Sequence, residues 1–235
     1  MSLLSEVLGR LLNLIYPKHC PCCDDITEDN EPICEECLAE LLKHRLKGAC
    51  KKCGLPEPEC VCKKRVFLFE GVAAPFRYED IAAEGVLNIK KMRSIENADF
   101  FADYMAETIA NNYSSVEFDI VTSVPMFKRD EIKRDFDHAK ILAKCLSRKI
   151  GVDYKITLKQ IEKRKSQHEL NAAERIENVK GIYKVTAEVE GKNILLVDDI
   201  KTSGSSLNEC AHELLISGAE GVWCICAAIT CKKTL

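Results

Sequence analysis

The stretch ILLVDDIKTSGSSL, residues 194–207, decides the fold predicted for this chain. Its first four residues are aliphatic and predict a short buried β-strand, which ends at the adjacent acids Asp198 and Asp199. A turn of small hydroxyl residues follows, and an α-helix is expected to begin at Ser205. A strand, a turn and a helix in this order form the unit of an α/β domain, in which ligands bind at the carboxyl ends of parallel strands.

The residues of this turn suit a phosphate group. The first N–H groups of a helix lack partners within the helix, and the helix dipole makes that end positive, so an anion is favoured there. Gly204 lets the backbone come close, and hydroxyl groups add donors at Thr202, Ser203, Ser205 and Ser206. The carboxylates of Asp198 and Asp199 can accept hydrogen bonds from ribose hydroxyl groups or hold Mg²⁺ through water. The stretch therefore predicts a site for a phosphorylated sugar.

Simpler interpretations of the same residues remain open. A Ser or Thr before a helix is often only an N-cap, and two acids after a strand often lie in a solvated turn. A P-loop nucleotide site is excluded, because the chain contains no G-x4-G-K-[ST] motif. An acidic pair of the receiver type normally follows the first strand of its domain, whereas this pair lies near the end of the chain.

The segments on either side of this stretch extend the α/β pattern. The expected elements are a hairpin within 66–78, two helices within 80–112, a buried strand at 119–124, a helix at 129–150, a long loop at 159–180, strands at 181–185 and 193–199, a helix at 205–217 and a strand at 222–229. Because strands alternate with helices, we predict an α/β fold with a mainly parallel sheet.

The overall composition is that of a globular protein with one unusual feature. The 235 residues carry a net charge of −3 at pH 7, which gives no argument for a nucleic-acid partner. The first 16 residues predict an amphipathic helix that lacks the features of a signal peptide and is too short and too charged to span a membrane, so we expect a cytoplasmic protein. The unusual feature is that nine of the 14 cysteines lie between Cys20 and Cys62.

These cysteines are spaced as metal ligands. Three Cys-x2-Cys pairs and one Cys-x-Cys pair supply eight thiolates, at Cys20, Cys23, Cys34, Cys37, Cys50, Cys53, Cys60 and Cys62. In a reducing compartment such pairs bind metal rather than form disulfides, and zinc is the usual ion of a four-thiolate site. We therefore predict up to two structural zinc ions in a module at residues 1–65, followed by a larger domain at residues 66–235. The spacing leaves open which pairs combine, and Cys22 is an alternative ligand to Cys23.

The stretch from Asp198 to Ser206 resembles the phosphoribosyl pyrophosphate (PRPP) motif of type I phosphoribosyltransferases, with Ser in place of the commoner Thr at positions 203 and 206. Together with the cysteine-rich module, the chain resembles the ComF family of competence-associated, phosphoribosyltransferase-like proteins. Further matches are Val124, Pro125, Arg134, Phe136, Gln167, Leu170, Arg175, Asn178, Val179 and Gly181. The chain departs from the family pattern around Phe136, at Asp135, Asp137 and His138, and in its shortened fourth cysteine pair.

The resemblance implies Mg²⁺-dependent transfer of a phosphoribosyl group from PRPP to an acceptor that the sequence does not identify. It makes Asp198 and Asp199 the catalytic residues that hold the ribose. The residues implied to bind PRPP are Asp198, Asp199, Lys201, Thr202, Ser203, Gly204, Ser205 and Ser206. Lys128, Arg129 and Arg164 would face the diphosphate, and Lys90 and Lys91 are further candidates for that role.

A second hypothesis is a protein without enzymatic activity that senses PRPP or a nucleotide and binds single-stranded DNA or competence proteins. The cysteine-rich module offers a basic stripe for DNA, at Lys43, His44, Arg45, Lys47, Lys51, Lys52, Lys63, Lys64 and Arg65. Acidic residues are interspersed with this stripe. Tyr16 is the only aromatic residue before Val66, so the module lacks a surface on which bases can stack.

Overall fold

The computed structural model describes residues 17–27, 31–92, 94–127, 137–162 and 181–231. The helices are Glu35–Lys43 (α1), Asp80–Met92 (α2), Ile95–Asn112 (α3), His138–Ile150 (α4) and Ser205–Ile216 (α5). The strands are Gly71–Ala73 (β1), Phe76–Arg77 (β2), Ile120–Ser123 (β3), Leu158–Gln160 (β4), Tyr183–Val185 (β5), Asn193–Lys201 (β6) and Gly221–Ile229 (β7). A 3₁₀ turn lies at Glu57–Glu59.

A parallel sheet organises the described residues. Its strands follow the order β1-β7-β6-β3, and the short β2 also pairs with β7. All these pairs are parallel, which confirms the predicted fold class. Strands β4 and β5 form a separate antiparallel pair. Ser123, the last residue of β3, lies opposite Val197 of β6, so the last four residues of β6 extend beyond the end of β3.

The two faces of the sheet bury two separate hydrophobic clusters. On β6, Leu195 and Val197 belong to the cluster that includes α2, α3 and α4, whereas Ile194 and Leu196 belong to the cluster that includes α5. This alternation follows from the two-residue period of a strand, and it explains why a run of four aliphatic residues is buried on both sides.

The cysteine-rich residues add to both clusters instead of forming a core of their own. We call residues 17–27 and 31–43 the first cysteine segment and residues 49–62 the second cysteine segment. The first segment contributes Cys37 and Leu41 to the cluster beneath α2 and α3. The second segment contributes Cys53 and Leu55 to the cluster on the opposite face. The boundary after residue 65 stays a prediction.

Three expectations about individual elements were wrong. The segment 66–78 does not form a hairpin, because β1 and β2 run in the same direction along β7, interrupted at Pro75, which lacks a backbone N–H. The strand expected to end at Asp199 continues to Lys201, since β7 offers backbone partners as far as Ile229. Residues 159 and 160 were expected in a loop but belong to β4, where they pair with β5.

The remaining expected elements agree with the structure where it describes them. The two helices within 80–112, the strand at 119–124, the helix after Gly204 and the final strand are all present. Of the helix expected at 129–150, the structure describes the part from His138, capped by the Asp137 side chain, which accepts from the Lys140 N–H. The N-terminal helix and residues 163–180 of the expected loop lie outside the described residues. No helix within the described ranges is long and apolar enough to cross a membrane.

Candidate functional site

The eight predicted thiolates form two clusters. The Sγ atoms within each cluster lie within 4.8 Å of one another; the first consists of Cys20, Cys23, Cys34 and Cys37, and the second of Cys50, Cys53, Cys60 and Cys62. The pairs therefore combine in chain order, first with second and third with fourth. Cys22 belongs to neither cluster. Its side chain is buried beside Gly85 of α2 instead.

The spacing of the sulfur atoms fits a tetrahedral ion. Sγ atoms of Cys23 and Cys34 are 3.8 Å apart, and in the second cluster Cys53 and Cys60 are 3.6 Å apart. Four Zn–S bonds of about 2.3 Å in a tetrahedron separate the sulfur atoms by about 3.8 Å. These distances exclude disulfide bonds, and all 14 cysteines are free. The donor set and its geometry fit structural zinc.

The first cysteine of each segment has a lowered pKa, which favours the thiolate form. Burial raises the pKa of the Cys20 thiol, but hydrogen bonds from backbone N–H groups, among them those of Cys23 and Cys34, lower it to about 7. Cys50 is affected in the same way: burial raises its pKa, and the N–H groups of Cys53 and Lys52 lower it to about 7. Backbone N–H groups that point at sulfur favour the charged form that binds a metal.

The acidic pair lies where β6 extends beyond β3. Asp199 accepts a hydrogen bond from the Ile200 N–H at 2.7 Å, and its second carboxylate oxygen lies 2.5 Å from Nζ of Lys90 on α2. Asp198 accepts from the Asp199 N–H at 3.0 Å. Burial lowers the pKa of Lys90, but the charge of Asp199 and the hydrogen bond to it outweigh burial, so the pKa is raised and Lys90 stays protonated. Lys90, a candidate for binding the diphosphate, thus forms an ion pair with Asp199 in the structure.

The turn after β6 has the shape expected for an anion site. Gly204 adopts the left-handed conformation at φ +73° and precedes α5 without providing a side-chain cap. The Ser205 N–H donates to the Ser203 hydroxyl oxygen in a long contact of 3.4 Å, and Gly204 itself has no side chain to accept from the N–H groups that follow. The hydroxyl groups of Ser203 and Ser205 lie 2.8 Å apart, and Thr202 is exposed. Ser206 occupies the first turn of α5.

Two cations lie beside this turn. Lys201 is only 2% exposed, and its ammonium group lies 6.0 Å from the centre of the Phe67 ring. Burial lowers the pKa of Lys201; the thiol groups of Cys226 and Cys53 oppose this shift, and the positive charge of Arg65 adds to it. Arg65 donates to the Ser203 carbonyl oxygen at 2.6 Å and to the Ser205 hydroxyl oxygen at 3.0 Å. Arg65 follows the second cysteine segment, and the sequence alone places it only in the basic stripe between residues 43 and 65. Nothing in the sequence could have linked it to Ser203, 138 residues away.

Three predicted diphosphate contacts cannot be placed. Lys128, Arg129 and Arg164 lie outside the described residues. The described chain before the first two of them ends at Phe127, shortly after β3 and at the same edge of the sheet as the acidic pair. Their role in binding diphosphate therefore stays a prediction, as do the roles of the acids and of the residues in the turn.

Comparison with protein-family models finds two matches. Residues 11–66 match a double zinc ribbon domain, and residues 137–234 match a phosphoribosyl transferase domain. The first match contains both cysteine clusters, and the second contains β6, the acidic pair and the turn before α5.

Curated relatives match most of the chain. The DNA utilization protein YhgH of Salmonella typhimurium is 27% identical over 208 residues, which cover 84% of this chain and 91% of that protein. The competence protein ComFC of Bacillus subtilis is 26% identical over 204 residues, which cover 82% of each chain.

Solved structures give a fainter likeness. A purine phosphoribosyltransferase from Pyrococcus horikoshii is 16% identical with a TM-score of 0.36, over 55% of this chain and 74% of that one. Glutamine PRPP amidotransferase from B. subtilis is 19% identical with a TM-score of 0.38, over 64% of this chain and 28% of that one. The resemblance to a known family rests instead on the two family models, the curated relatives and the parallel sheet. A match to a double zinc ribbon ahead of a match to a phosphoribosyl transferase domain, together with relatives named for DNA utilization and competence, confirms the resemblance of this chain to the ComF family.

Proposed function

We propose that this chain binds PRPP together with Mg²⁺ and transfers its phosphoribosyl group to an acceptor. The observation that carries the proposal is the arrangement at the end of β6. Two carboxylates, a buried lysine and a turn in which glycine directly precedes a helix follow one another within a few residues at the carboxyl edge of a parallel sheet. Such an edge is where α/β sheets bind their ligands.

Each part of PRPP has a counterpart in this arrangement. The 5′-phosphate binds at the turn from Thr202 to Ser206, where N–H groups, hydroxyl groups and the Lys201 ammonium group all donate. The ribose hydroxyl groups donate to Asp198 and Asp199. Because Asp199 is paired with Lys90 in the free chain, ligand binding exchanges one partner of this carboxylate for another.

The chemistry required of the protein is mainly electrostatic. Bond breaking at the anomeric carbon leaves positive charge on the ribose ring, and the adjacent carboxylates stabilise that charge, as in glycoside hydrolysis. Mg²⁺ supplies positive charge for the leaving diphosphate, and hydrated Mg²⁺ suits the carboxylate oxygens of Asp198 and Asp199. The acceptor provides the nucleophile, so the protein needs none.

Calorimetric titration of the zinc-loaded full chain with PRPP and Mg²⁺ tests this function. We expect Asp198→Asn and Asp199→Asn to weaken binding by about tenfold or more, since each removes a charged acceptor. Asp103→Asn is the matched control, because Asp103 also pairs with a lysine, at 2.7 Å from Lys149, but lies on α3 away from the turn. The absence of PRPP binding in the unchanged protein would refute the proposal.

Diphosphate release separates transfer from sensing. The unchanged protein is mixed with PRPP, Mg²⁺ and a panel of bases and amines, and released diphosphate is measured. Release that depends on the acceptor and disappears in Asp199→Asn supports the enzyme. Tight binding without release for any acceptor would instead favour a PRPP-sensing protein.

Relatives of this chain are named for DNA utilization and competence, and we propose the same context for this chain. Direct DNA contact would have to use the basic residues that have no ion pair within the described part of the chain and are exposed, at Lys47, Lys51, Lys63 and Lys64. Lys43 and Arg45 pair with Glu40 and Glu107, so the stripe is less free than the sequence indicates. Single-stranded DNA binding that weakens steeply with added salt would support such contact.

A further inference from the structure

Arg65 and Lys201 form a pair of like charges beside the turn. Within the described ranges neither cation has a carboxylate partner, although Lys201 is almost fully buried and Arg65 is partly buried. Their charges repel each other, and burial disfavours both of them. The thiol groups of Cys226 and Cys53 offset this cost only in part, since the pKa of Lys201 remains lowered, and an anion bound beside the two cations would reduce the cost further.

Arg65 donates hydrogen bonds to the two serines of the turn, which keep one hydroxyl hydrogen for a ligand. A guanidinium group only donates, so the Ser205 hydroxyl oxygen must accept from Arg65. Ser203 and Ser205 share one hydrogen bond at 2.8 Å between their hydroxyl groups, which uses one of the two hydroxyl hydrogens. The other hydroxyl hydrogen is then left to donate to a bound anion. Arg65 thus holds the Ser205 hydroxyl oxygen in place, while one hydroxyl hydrogen of the two serines stays available.

The residues that follow Arg65 are held against helix α5 and against the second cysteine segment. The Leu68 N–H donates to Oδ1 of Asn208 on α5 at 2.7 Å. The guanidinium group lies 5.1 Å above the Phe67 ring, and Phe67 stacks on Phe69 with the ring centres 5.0 Å apart. Lys52, from the second cysteine segment, donates to the Phe69 carbonyl oxygen. These contacts fix the position of Arg65 before any ligand arrives.

We propose that Arg65, supplied by the end of the zinc-ribbon module, is a positioning residue for the phosphate turn and, with Lys201, selects a phosphate monoester there. This inference rests on the proposed function, since the monoester is the 5′-phosphate of a ribose. It adds to that function a residue outside the phosphoribosyl motif. It also makes the zinc-ribbon module a part of the sugar-phosphate site.

The test compares two ligands in the zinc-loaded full chain. Ribose 5-phosphate carries the group that Arg65 would select, and inorganic diphosphate with Mg²⁺ does not depend on it. We expect Arg65→Met to weaken ribose 5-phosphate binding by about tenfold or more, because a charge-assisted network is lost. Arg65→Lys keeps the charge but not the paired donors, so we expect a smaller loss. Binding of diphosphate with Mg²⁺ should stay within about twofold in both variants.

Lys64→Met is the matched control, because it removes a positive charge from the neighbouring residue, which is exposed and does not contact the turn. Zinc content and melting temperature show whether each variant is folded, and Arg65→Lys serves if Arg65→Met is not. Equal ribose 5-phosphate affinity in the unchanged protein and a folded Arg65 variant would overturn this inference and leave the proposed function standing. An equal loss for both ligands would also overturn it, as it would reveal a general structural effect. The absence of any binding to the unchanged protein would overturn both proposals.

Discussion

Gly204 constrains the shape of the turn from Thr202 to Ser206, which we call the phosphate turn after its proposed ligand. Its φ of +73° is unfavourable for any residue with a Cβ, and a Cβ placed there would lie 3.2 Å from Cε of the buried Lys201. The same position gives access to the first N–H groups of α5. Backbone conformation, contact with a cation and access for a ligand therefore all depend on the absence of a side chain here.

Gly204→Ala should lower the free energy of unfolding by about 1–2 kcal/mol and weaken ribose 5-phosphate binding by about tenfold. The matched control is Gly191→Ala. Gly191 has a similar φ of +63°, but a Cβ there meets nothing within 4 Å. Urea unfolding should therefore show a smaller loss of stability for Gly191→Ala, with affinity for the ligand unchanged. If Gly204→Ala bound ribose 5-phosphate as well as Gly191→Ala, the turn would not be the phosphate site.

Single residues also show what sequence reasoning can and cannot supply. The glycine and serines of the turn were identified because their chemistry is encoded locally, within a few residues. Arg65 was not, because its partners are more than 130 residues away and only the packing of the second cysteine segment brings them together. Lys90 was considered for its charge, but the sequence could not show that Asp199 would be its partner.

Among the elements, helix α2 has two functions at once. Its Asn88 side chain donates to the Pro21 and Cys22 carbonyl oxygens, at 3.2 Å and 2.8 Å, which attaches the helix to the first cysteine segment. Near its C-terminal end, Lys90 pairs with Asp199. The helix therefore links the first cysteine segment to the acidic pair, and removal of Lys90 tests the contact at the acidic end of that link.

We expect Lys90→Met to lower the free energy of unfolding by about 1–2 kcal/mol at pH 7, because Asp199 would be left partly buried without its partner. Lys91→Met is the control, since Lys91 is exposed and lies 3.5 Å from the exposed Glu84. Its effect should be below about 0.5 kcal/mol. Urea unfolding of the two variants and of the unchanged protein measures both differences.

The pH dependence of this effect has a definite sign. The pKa of Lys90 is raised above its ordinary value of 10.5 in the folded chain. The unfolded chain therefore loses this proton first, and the stabilisation is complete below pH 10.5 and is lost as the pH rises through the folded pKa. The difference in stability between the unchanged protein and Lys90→Met should be constant from pH 7 to 9 and should shrink above pH 10.5. A difference that shrank already between pH 7 and 9 would contradict the assignment.

Helices and strands were predicted correctly where the spacing of apolar residues and the helix caps were clear. The predictions failed where the structure of a segment depends on the strand with which it pairs. The helices α2 and α3 and the strand β3 follow from their own residues. The sequence predicts a hairpin where β1 and β2 lie, because a stretch rich in β-forming residues with Gly and Pro between them does not reveal that β7 lies beside both segments. The extension of β6 to Lys201 likewise depends on β7.

At the scale of the whole molecule, the two cysteine segments pack on opposite faces of the sheet and so support opposite sides of the proposed site. The first segment lies against α2, which carries Lys90 to the acidic pair. The second segment lies against the other face of the sheet, where a Cβ on Gly54 would lie 2.8 Å from the Val72 carbonyl oxygen, and its end leads to Arg65 and the phosphate turn. The spacing of the cysteines predicts the eight ligands, but each Cys-x2-Cys or Cys-x-Cys turn supplies only two of them. Which turns combine, and which face of the sheet each cysteine segment packs against, depend on the tertiary fold.

The zinc ribbons should therefore be separable by mutation. We expect the unchanged protein to contain two zinc ions per chain, and Cys34→Ser and Cys60→Ser to contain one each, measured by metal analysis of reduced protein. Cys22→Ala should retain both ions, since Cys22 belongs to neither cluster. Structural zinc contributes to folding free energy, so each loss should also lower the melting temperature.

The affinity for ribose 5-phosphate then distinguishes the two ribbons. Cys60→Ser releases the segment that holds Arg65 in place, so binding should weaken by about tenfold. Cys34→Ser acts on the side of α2 and Lys90, so binding of ribose 5-phosphate should change by less than about threefold. An equal loss in both variants would mean that the ribbons stabilise the fold as a whole and that neither is dedicated to one side of the site. A loss confined to Cys60→Ser would connect zinc in the second cluster to recognition of the phosphate through Arg65.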